Sequence, residues 1–334
     1  MKNTMKALVL QNFGDTKFVN TELAIPQPER GEVLVQVKAS GVNPIDYKIR
    51  EGLAPYAMPT LPAVIGTDMA GTVVAVGEDV QNFQIGDDVY GLAGGVRGLQ
   101  GSLAQYMAVD ARLIAHKPKN LTMREAAAVP LTFLTAWEGL VDNAKVQADH
   151  RVLVQGGSGG VGSMAIQIAK TFGAKVWATG SAQNQELITS LGAQAIDYNQ
   201  FTAHQILDEY TAGEGFDIVY DTVGANVLKD SLGMSKYYGH ITSCAAFSEQ
   251  NLAISSLRCA TLSGVFVLLP MLTGLDRARH GAILAQATQL IEQNKVRPVV
   301  DARSFSMEQA IEAQNAVKDG SASIKVVVDI DHFD

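Results

Sequence analysis

Five glycines, Gly156, Gly157, Gly159, Gly160 and Gly162, crowd between the apolar run Val152-Leu153-Val154 and a helical pattern that starts at Val161. Gly157, Gly159 and Gly162 form a G-x-G-x-x-G, and Gly156, Gly159 and Gly162 form a G-x-x-G-x-x-G. Glycine lets a backbone turn tightly and leaves its N–H groups bare. Gly157, Ser158, Gly159, Gly160, Val161 and Gly162 could therefore surround a pyrophosphate at a helix N-terminus, where the dipole favours anions. A tight strand-to-helix turn explains a lone glycine string equally well. With a strand before it and a helix after it, the string predicts a dinucleotide site.

The flanking elements supply that context. Candidate strands at 151–155, 175–179, 194–197, 216–221, 238–243 and 262–268 alternate with helical patterns at 161–172, 183–191, 202–211 and 225–234. Strands separated by helices predict an α/β fold of the Rossmann type, a doubly wound parallel sheet. The first third differs. Apolar residues alternate over 33–39, and short strand patterns recur at 6–10, 71–77, 87–90, 103–109 and 113–116, as in a partly open antiparallel β-barrel. Thr122 to Glu125 is a capping box, and Pro130 forces a kink or a second helix start. Helical patterns at 276–294 and 307–319 precede a strand pattern at 324–330 that could rejoin the first domain.

Bulk properties exclude several classes. The 334 residues can build two domains, and 47% hydrophobic with 18% charged residues is a soluble globular composition. The net charge is -8 and no basic run stands out, so neither nucleic acid nor a membrane is the expected partner. The start, Met1 to Lys6, has no apolar signal core, and no segment reaches transmembrane length. Cys244 and Cys259 give neither a disulfide framework nor a metal cluster, so a reducing cytoplasm is the expected setting.

Several segments together resemble the medium-chain dehydrogenase/reductase superfamily, in its zinc-independent quinone oxidoreductase and enone reductase branch. They are Ser40 to Gly52 (SGVNPIDYKIREG), Gly66 to Gly71 (GTDMAG), Val80 to Gly91 (VQNFQIGDDVYG), the glycine loop, and Phe216 to Gly224 (FDIVYDTVG). The resemblance spans nearly the whole chain. It implies a chaperonin-10-like (GroES-like) catalytic domain at 1–123, completed by 299–334, and a Rossmann domain at 124–298. It also implies an active site in the cleft where the domains meet.

An NAD site of this kind usually carries an acid after the second strand. Here Lys175 to Thr179 runs into Gly180-Ser181-Ala182-Gln183-Asn184, with no carboxylate before Glu186. That leaves room for a 2′-phosphate, so NADPH is the expected cofactor. Ser181 could donate to the phosphate or simply close a turn, and Tyr198 matches a tyrosine that relatives bring there. Asn184 stands where quinone reductases often have lysine. Further cofactor contacts implied by the resemblance are Thr135, Thr222, Gly224 and Ser243, then Phe266 and Val267 on the last strand, and Lys325.

Zinc-dependent members ligate metal at positions that here read Asn43, Thr67 and Asp68. One carboxylate without thiolate or imidazole does not hold tetrahedral zinc. The histidines at 116, 150, 204, 240, 280 and 332 are scattered. No zinc is expected. Reduction of a quinone or an α,β-unsaturated carbonyl then needs donors for the oxygen on which charge develops. The resemblance puts Asn43, Tyr47 and Lys48 beside the nicotinamide, and lysine at 48 is closer to the enone reductases. Each has a plainer alternative: turn capping around Pro44 for Asn43 and Asp46, core packing for Tyr47, a solvated surface for Lys48. The resulting expectation is an NADPH-dependent quinone or enone reductase. It is expected to act on small molecules as a homodimer, paired through the edge strand near Gly264 to Leu269. Alternatives are an enoyl-thioester reductase and a nucleotide-binding protein without turnover.

Overall fold

Alternation of valines with polar residues in Glu32–Val42 lets one strand bury Val33, Val35 and Val37 completely. Around such strands the computed structural model, which describes residues 3–322 and 324–330, builds two compact units. The first contains Met1–Leu131 and Leu268–Asp334, the second Thr132–Val267. In the first, β1 (Thr4–Leu10), β2 (Val19–Ala24), β3 (Glu32–Val42), β4 (Ala63–Val64), β5 (Asp68–Val76), β6 (Asp88–Leu92), β7 (Tyr106–Asp110) and β8 (Ile114–His116) follow in order. The second holds β9 (Arg151–Gln155), β10 (Lys175–Gly180), β11 (Gln194–Asp197), β12 (Phe216–Asp221), β13 (Ser235–Ser243) and β14 (Thr261–Gly264). The chain then returns to the first unit with β15 (Phe305–Ser306) and β16 (Val326–Asp329).

In the first unit β2-β1-β4 form a small sheet, and β15-β16-β3-β5-β6-β8 a larger one, with β7 also on β3. β16 runs antiparallel to β3, pairing Val326 with Val42 and Val328 with Ser40. The strand pattern at 324–330 does rejoin the first domain. β2 carries no strand signal in the sequence. Its side chains alternate between exposed and half-buried, so no apolar face announces it.

The second unit is a parallel sheet in the order β11-β10-β9-β12-β13-β14. The strand order reverses between β9 and β12, and in such sheets ligands bind beyond the carboxyl ends of the strands at that point. Helix Gly160–Thr171 follows β9, with Ala165, Ile166, Ile168 and Ala169 fully buried. Each isoleucine contributes about 1.5–3 kcal/mol of burial to holding the glycine loop in place.

Three expectations change. β14 ends at Gly264, so Phe266 and Val267 lie beyond the last strand rather than on it, and Leu269 opens helix Leu269–Thr273. Val265 and Val267 turn into this chain's own core. The edge strand available for pairing is therefore Thr261–Gly264, not 264–269. The unit boundaries fall at 131/132 and 267/268, where the sequence placed them at 123/124 and 298/299. The second shift is that of helix Arg277–Glu292, whose Leu284 carbonyl accepts the hydrogen bond of buried Tyr90 in the first unit. Pro130 makes a second helix start, at Pro130–Trp137, after the capped helix Met123–Ala127. Among the described residues no helix is long and apolar enough to cross a membrane. His332 lies outside the described residues.

Candidate active site

In the second unit the glycine loop places backbone donors beyond the end of β9. Gly156 turns with φ +78°, a conformation that a side chain would strain. Gly162 lets the first helical turn lie against the loop, since a Cβ there would stand 2.1 Å from the Gly156 carbonyl oxygen. Gly157 N–H donates to the Thr179 carbonyl, Gly156 N–H to Thr179 Oγ1, and Gly159 N–H to the Gly156 carbonyl. The N–H groups of Ser158, Gly160, Val161 and Gly162 have no partner among the described residues. Helix Gly160–Thr171 thus begins with open donors at its positive end, which is the geometry of an anion site.

At the carboxyl end of β12, Thr222 Oγ1 donates to the Gln155 carbonyl at 2.6 Å, across the reversal point. Gly224 and Ser243 are joined through a residue to which the sequence reading gave no role. Asp221, with no exposed surface, accepts from Val223 N–H at 3.1 Å, Gly224 N–H at 3.0 Å and Ser243 Oγ at 2.6 Å. Thr135 is buried, and its carbonyl accepts from Tyr220 Oη. The signal that could have found Asp221 is a carboxylate that follows the apolar run Ile218-Val219-Tyr220 at the end of a buried strand, where burial demands donors for it.

Ser181 and Tyr198 follow neighbouring strands, because Gly180 pairs with Asp197 in register. Tyr198 is 56% exposed. Ser181 Oγ accepts from Asn184 Nδ2 at 3.1 Å, so the serine both closes a turn and keeps its own proton to donate. Asp197 is turned into hydrogen bonds with Asn199 and Gln200.

In the first unit Asn43, Asp46, Thr67, Asp68 and Lys325 are all buried and mutually bonded. Asn43 Nδ2 donates to Thr67 Oγ1 at 3.0 Å and to Asp68 Oδ2 at 2.8 Å. Thr67 Oγ1 donates to Asp46 Oδ1 at 3.1 Å, and Asp46 Oδ2 receives the Asn43 N–H at 2.7 Å. Lys325 Nζ donates to Asp68 Oδ2 at 2.8 Å and to Asn43 Oδ1. Burial pushes the Asp46 carboxyl up to about 7, against the Asn43 N–H and the Lys325 charge, which lower it. Asp46 therefore acts in capping. Asn43 is the N-cap residue and shares a capping box with Asp46 while its Nδ2 goes to Thr67 and Asp68, so the turn-capping alternative holds for both.

The cluster anchors the start of helix Pro44–Arg50. Its far end is held where Arg50 donates to Asn315 and Lys318 pairs with Glu51. Tyr47 and Lys48 stand half-buried between these anchors, and Lys48 Nζ has no hydrogen-bond or ionic partner among the described residues. Burial, with the Glu51 charge, holds the Tyr47 phenol above its ordinary range. It stays a donor at neutral pH. Lys325 was expected at the cofactor, and its ammonium is found on this cluster in the first unit. A separate cleft of about 930 Å³ in the same unit contains none of these residues. Within it Arg30 pairs with Asp79, and both Arg112 and Arg277 pair with Asp110.

A doubly wound sheet with an anion-ready helix end, in one chain with a β-domain carrying a polar cluster, defines a nucleotide-dependent oxidoreductase architecture. The family described as "Alcohol dehydrogenase GroES-like domain" matches residues 29–119, and "Zinc-binding dehydrogenase" matches 160–274. A 2-methylene-furan-3-one reductase of Solanum lycopersicum is 36% identical, over 97% of this chain and 79% of its own. An NADPH-dependent alkenal/one oxidoreductase, chloroplastic, of Arabidopsis thaliana is 34% identical with the same coverage. The crystal structure of an alcohol dehydrogenase superfamily protein from Novosphingobium aromaticivorans superposes with a TM-score of 0.95 at 47% identity, covering 98% of this chain and all of that one. The chain belongs to the medium-chain dehydrogenase/reductase superfamily. It is an oxidoreductase that works with a nicotinamide cofactor.

The second family description implies zinc, and the residues do not fit it. An amide, a hydroxyl and one carboxylate offer neither thiolate nor imidazole, and the Lys325 ammonium already holds the carboxylate. Among the described residues no group of three or more His, Cys, Asp or Glu could hold a metal.

Proposed function

We propose that the chain is an NADPH-dependent, zinc-independent reductase of α,β-unsaturated carbonyls or quinones. The observation that carries this reading is the unpartnered Lys48 ammonium beside the protonated Tyr47 phenol, on a helix pinned at both ends. A bound reduced nicotinamide supplies a hydride. Lys48 and Tyr47 then donate to the oxygen on which negative charge develops, so no metal is needed there. Asn43, tied up inside the cluster, acts by fixing the start of the helix rather than by touching substrate. NADPH over NADH is favoured by Ser181 and Tyr198 at adjacent strand ends and by the lack of a carboxylate from Gly180 to Gln185. The names of the tomato and Arabidopsis relatives favour enones over quinones. A homodimer through the exposed edge strand Thr261–Gly264 and a cytoplasmic setting, in keeping with two free cysteines, complete the proposal.

The test is NADPH and NADH oxidation by metal-analysed protein against matched enones, quinones, aldehydes and enoyl thioesters. The reading expects turnover on enones or quinones, at least tenfold better with NADPH, without stoichiometric zinc. Preferred thioester turnover would make the chain an enoyl-thioester reductase. Nucleotide binding with no turnover on any substrate would leave a binding protein.

A further inference from the structure

Lys325 poses a physical problem that its place in the cluster resolves. An ammonium 6% exposed is costly unless it is paired and fully bonded. Its backbone is fixed on both sides, Lys325 N–H to the Val299 carbonyl and Asp301 N–H to the Lys325 carbonyl, so the side chain is delivered from a rigid support. At its tip it meets Asp68 Oδ2, a carboxylate with no exposed surface, and Asn43 Oδ1, the carbonyl oxygen of a buried amide. Thr67 Oγ1 and Asp46 Oδ1 continue the same network one bond further. Oxygen atoms brought together from residues 43, 46, 67 and 68, with one positive charge among them, make up a cation site. Here the cation is covalently attached.

We propose that the Asp68–Asn43 pocket is an internal cation site whose occupant is the tethered Lys325 ammonium. The charge neutralises Asp68 and fixes the orientation of the Asn43 amide, and through Asn43 it holds the first residue of helix Pro44–Arg50 against β5. Lys325 is thus a positioning residue. The Asn43 amide has its Nδ2 on Asp68 and Thr67, and the ammonium on Oδ1 reinforces that orientation.

The pocket is tested by emptying and refilling it. Lys325→Ala removes three carbons and the nitrogen, the skeleton of n-propylammonium, and 1-propanol has the same shape without the charge. Lys325→Ala should melt lower by on the order of ten degrees, as expected when a buried carboxylate loses the cation paired with it. Millimolar n-propylammonium should restore much of that loss and 1-propanol should not. The double variant Asp68→Asn/Lys325→Met should melt well above Lys325→Met alone. In it the neutral amide introduced at position 68 can donate to a flipped Asn43, and no charge is left buried. The double variant also decides the matter if Lys325→Ala does not fold. Affinity for NADPH in the folded variants should change less than threefold. Equal rescue by propanol, equal melting of the single and double variants, or a tenfold loss of NADPH affinity with an unshifted Tm would each overturn the proposal.

Discussion

Replacing Asp221 by alanine removes the acceptor of three donors at once: Val223 N–H, Gly224 N–H and Ser243 Oγ–H. Hydrogen bonds to a charged group contribute about 1.5–3 kcal/mol each, and they are not additive within one network. Water entering the hole recovers part of the loss, so the net cost to the second unit should be about 3–5 kcal/mol. Asparagine should behave differently. Its Oδ1 can keep both backbone donors, and its Nδ2 can donate to Ser243 Oγ, which already accepts from Ala245 N–H at 3.0 Å. Only the charge and the serine's own donation are lost, at about 1–2 kcal/mol. Thr222, Gly224 and Ser243 are proposed to touch the cofactor, so loosening them should also weaken NADPH binding, by about tenfold for 1.4 kcal/mol. Urea denaturation gives the first quantity and fluorescence titration with NADPH the second. If Asp221→Ala kept native stability within about 0.5 kcal/mol and native affinity, the clamp around this carboxylate would have no energetic meaning.

Gly162→Ala should cost at least tenfold in nucleotide affinity and lower the melting temperature, because its Cβ would stand 2.1 Å from the Gly156 carbonyl oxygen. Calorimetric titration with NADPH checks it, and native affinity would show that the loop yields. Lys48→Ala should lower kcat on enones about 10–100-fold while leaving NADPH affinity unchanged; an unchanged kcat returns Lys48 to the solvated surface. Asp46 gives a pH test. Burial raises its carboxyl from 3.8 to about 7, so the folded chain keeps a proton that the unfolded chain has lost. Its stabilising effect is complete below pH 3.8 and fades as pH rises to about 7. Asp46→Asn does not titrate, so native stability relative to this variant should fall by a few kcal/mol (roughly 2–4) between pH 4 and pH 7. A pH-independent difference in urea denaturation would refute the shift.

The parallel sheet was legible because short β-forming runs, clearest in Val152-Leu153-Val154 of β9 and Ile218-Val219-Tyr220 of β12, alternate with helical patterns, and the glycine loop sits in one local segment. Strand ends were less legible. Val265 to Leu268 is an apolar run directly after β14 that reads as strand, yet the chain leaves the sheet there and buries Val265, Val267 and Leu268 by turning inward. β2 escaped because VNTELA has no buried face to reveal. The polar cluster could not be read as a whole, since Lys325 lies 282 residues from Asn43 and 257 from Asp68. No local spacing encodes that meeting. Asp221 stood in a quoted motif, but its partners are mostly backbone N–H groups, to which sequence assigns no identity.

The pairing of β16 with β3 has a consequence for synthesis. The second unit, Thr132–Val267, emerges as one continuous stretch and can fold while the ribosome is still translating. The first unit cannot be completed then. Residues Ala39–Val42 of β3 wait for Val326–Asp329, whose translation at about 5–20 residues per second comes on the order of 15–60 seconds later. Through that interval a stretch of strand edge next to Asn43 is open to any passing strand, a hazard for aggregation. Lys325 arrives with β16. The nascent protein therefore gains its last strand and the cation beside Asp68 in the same late step, and truncation before residue 325 should leave a folded nucleotide domain attached to an unfinished β-domain.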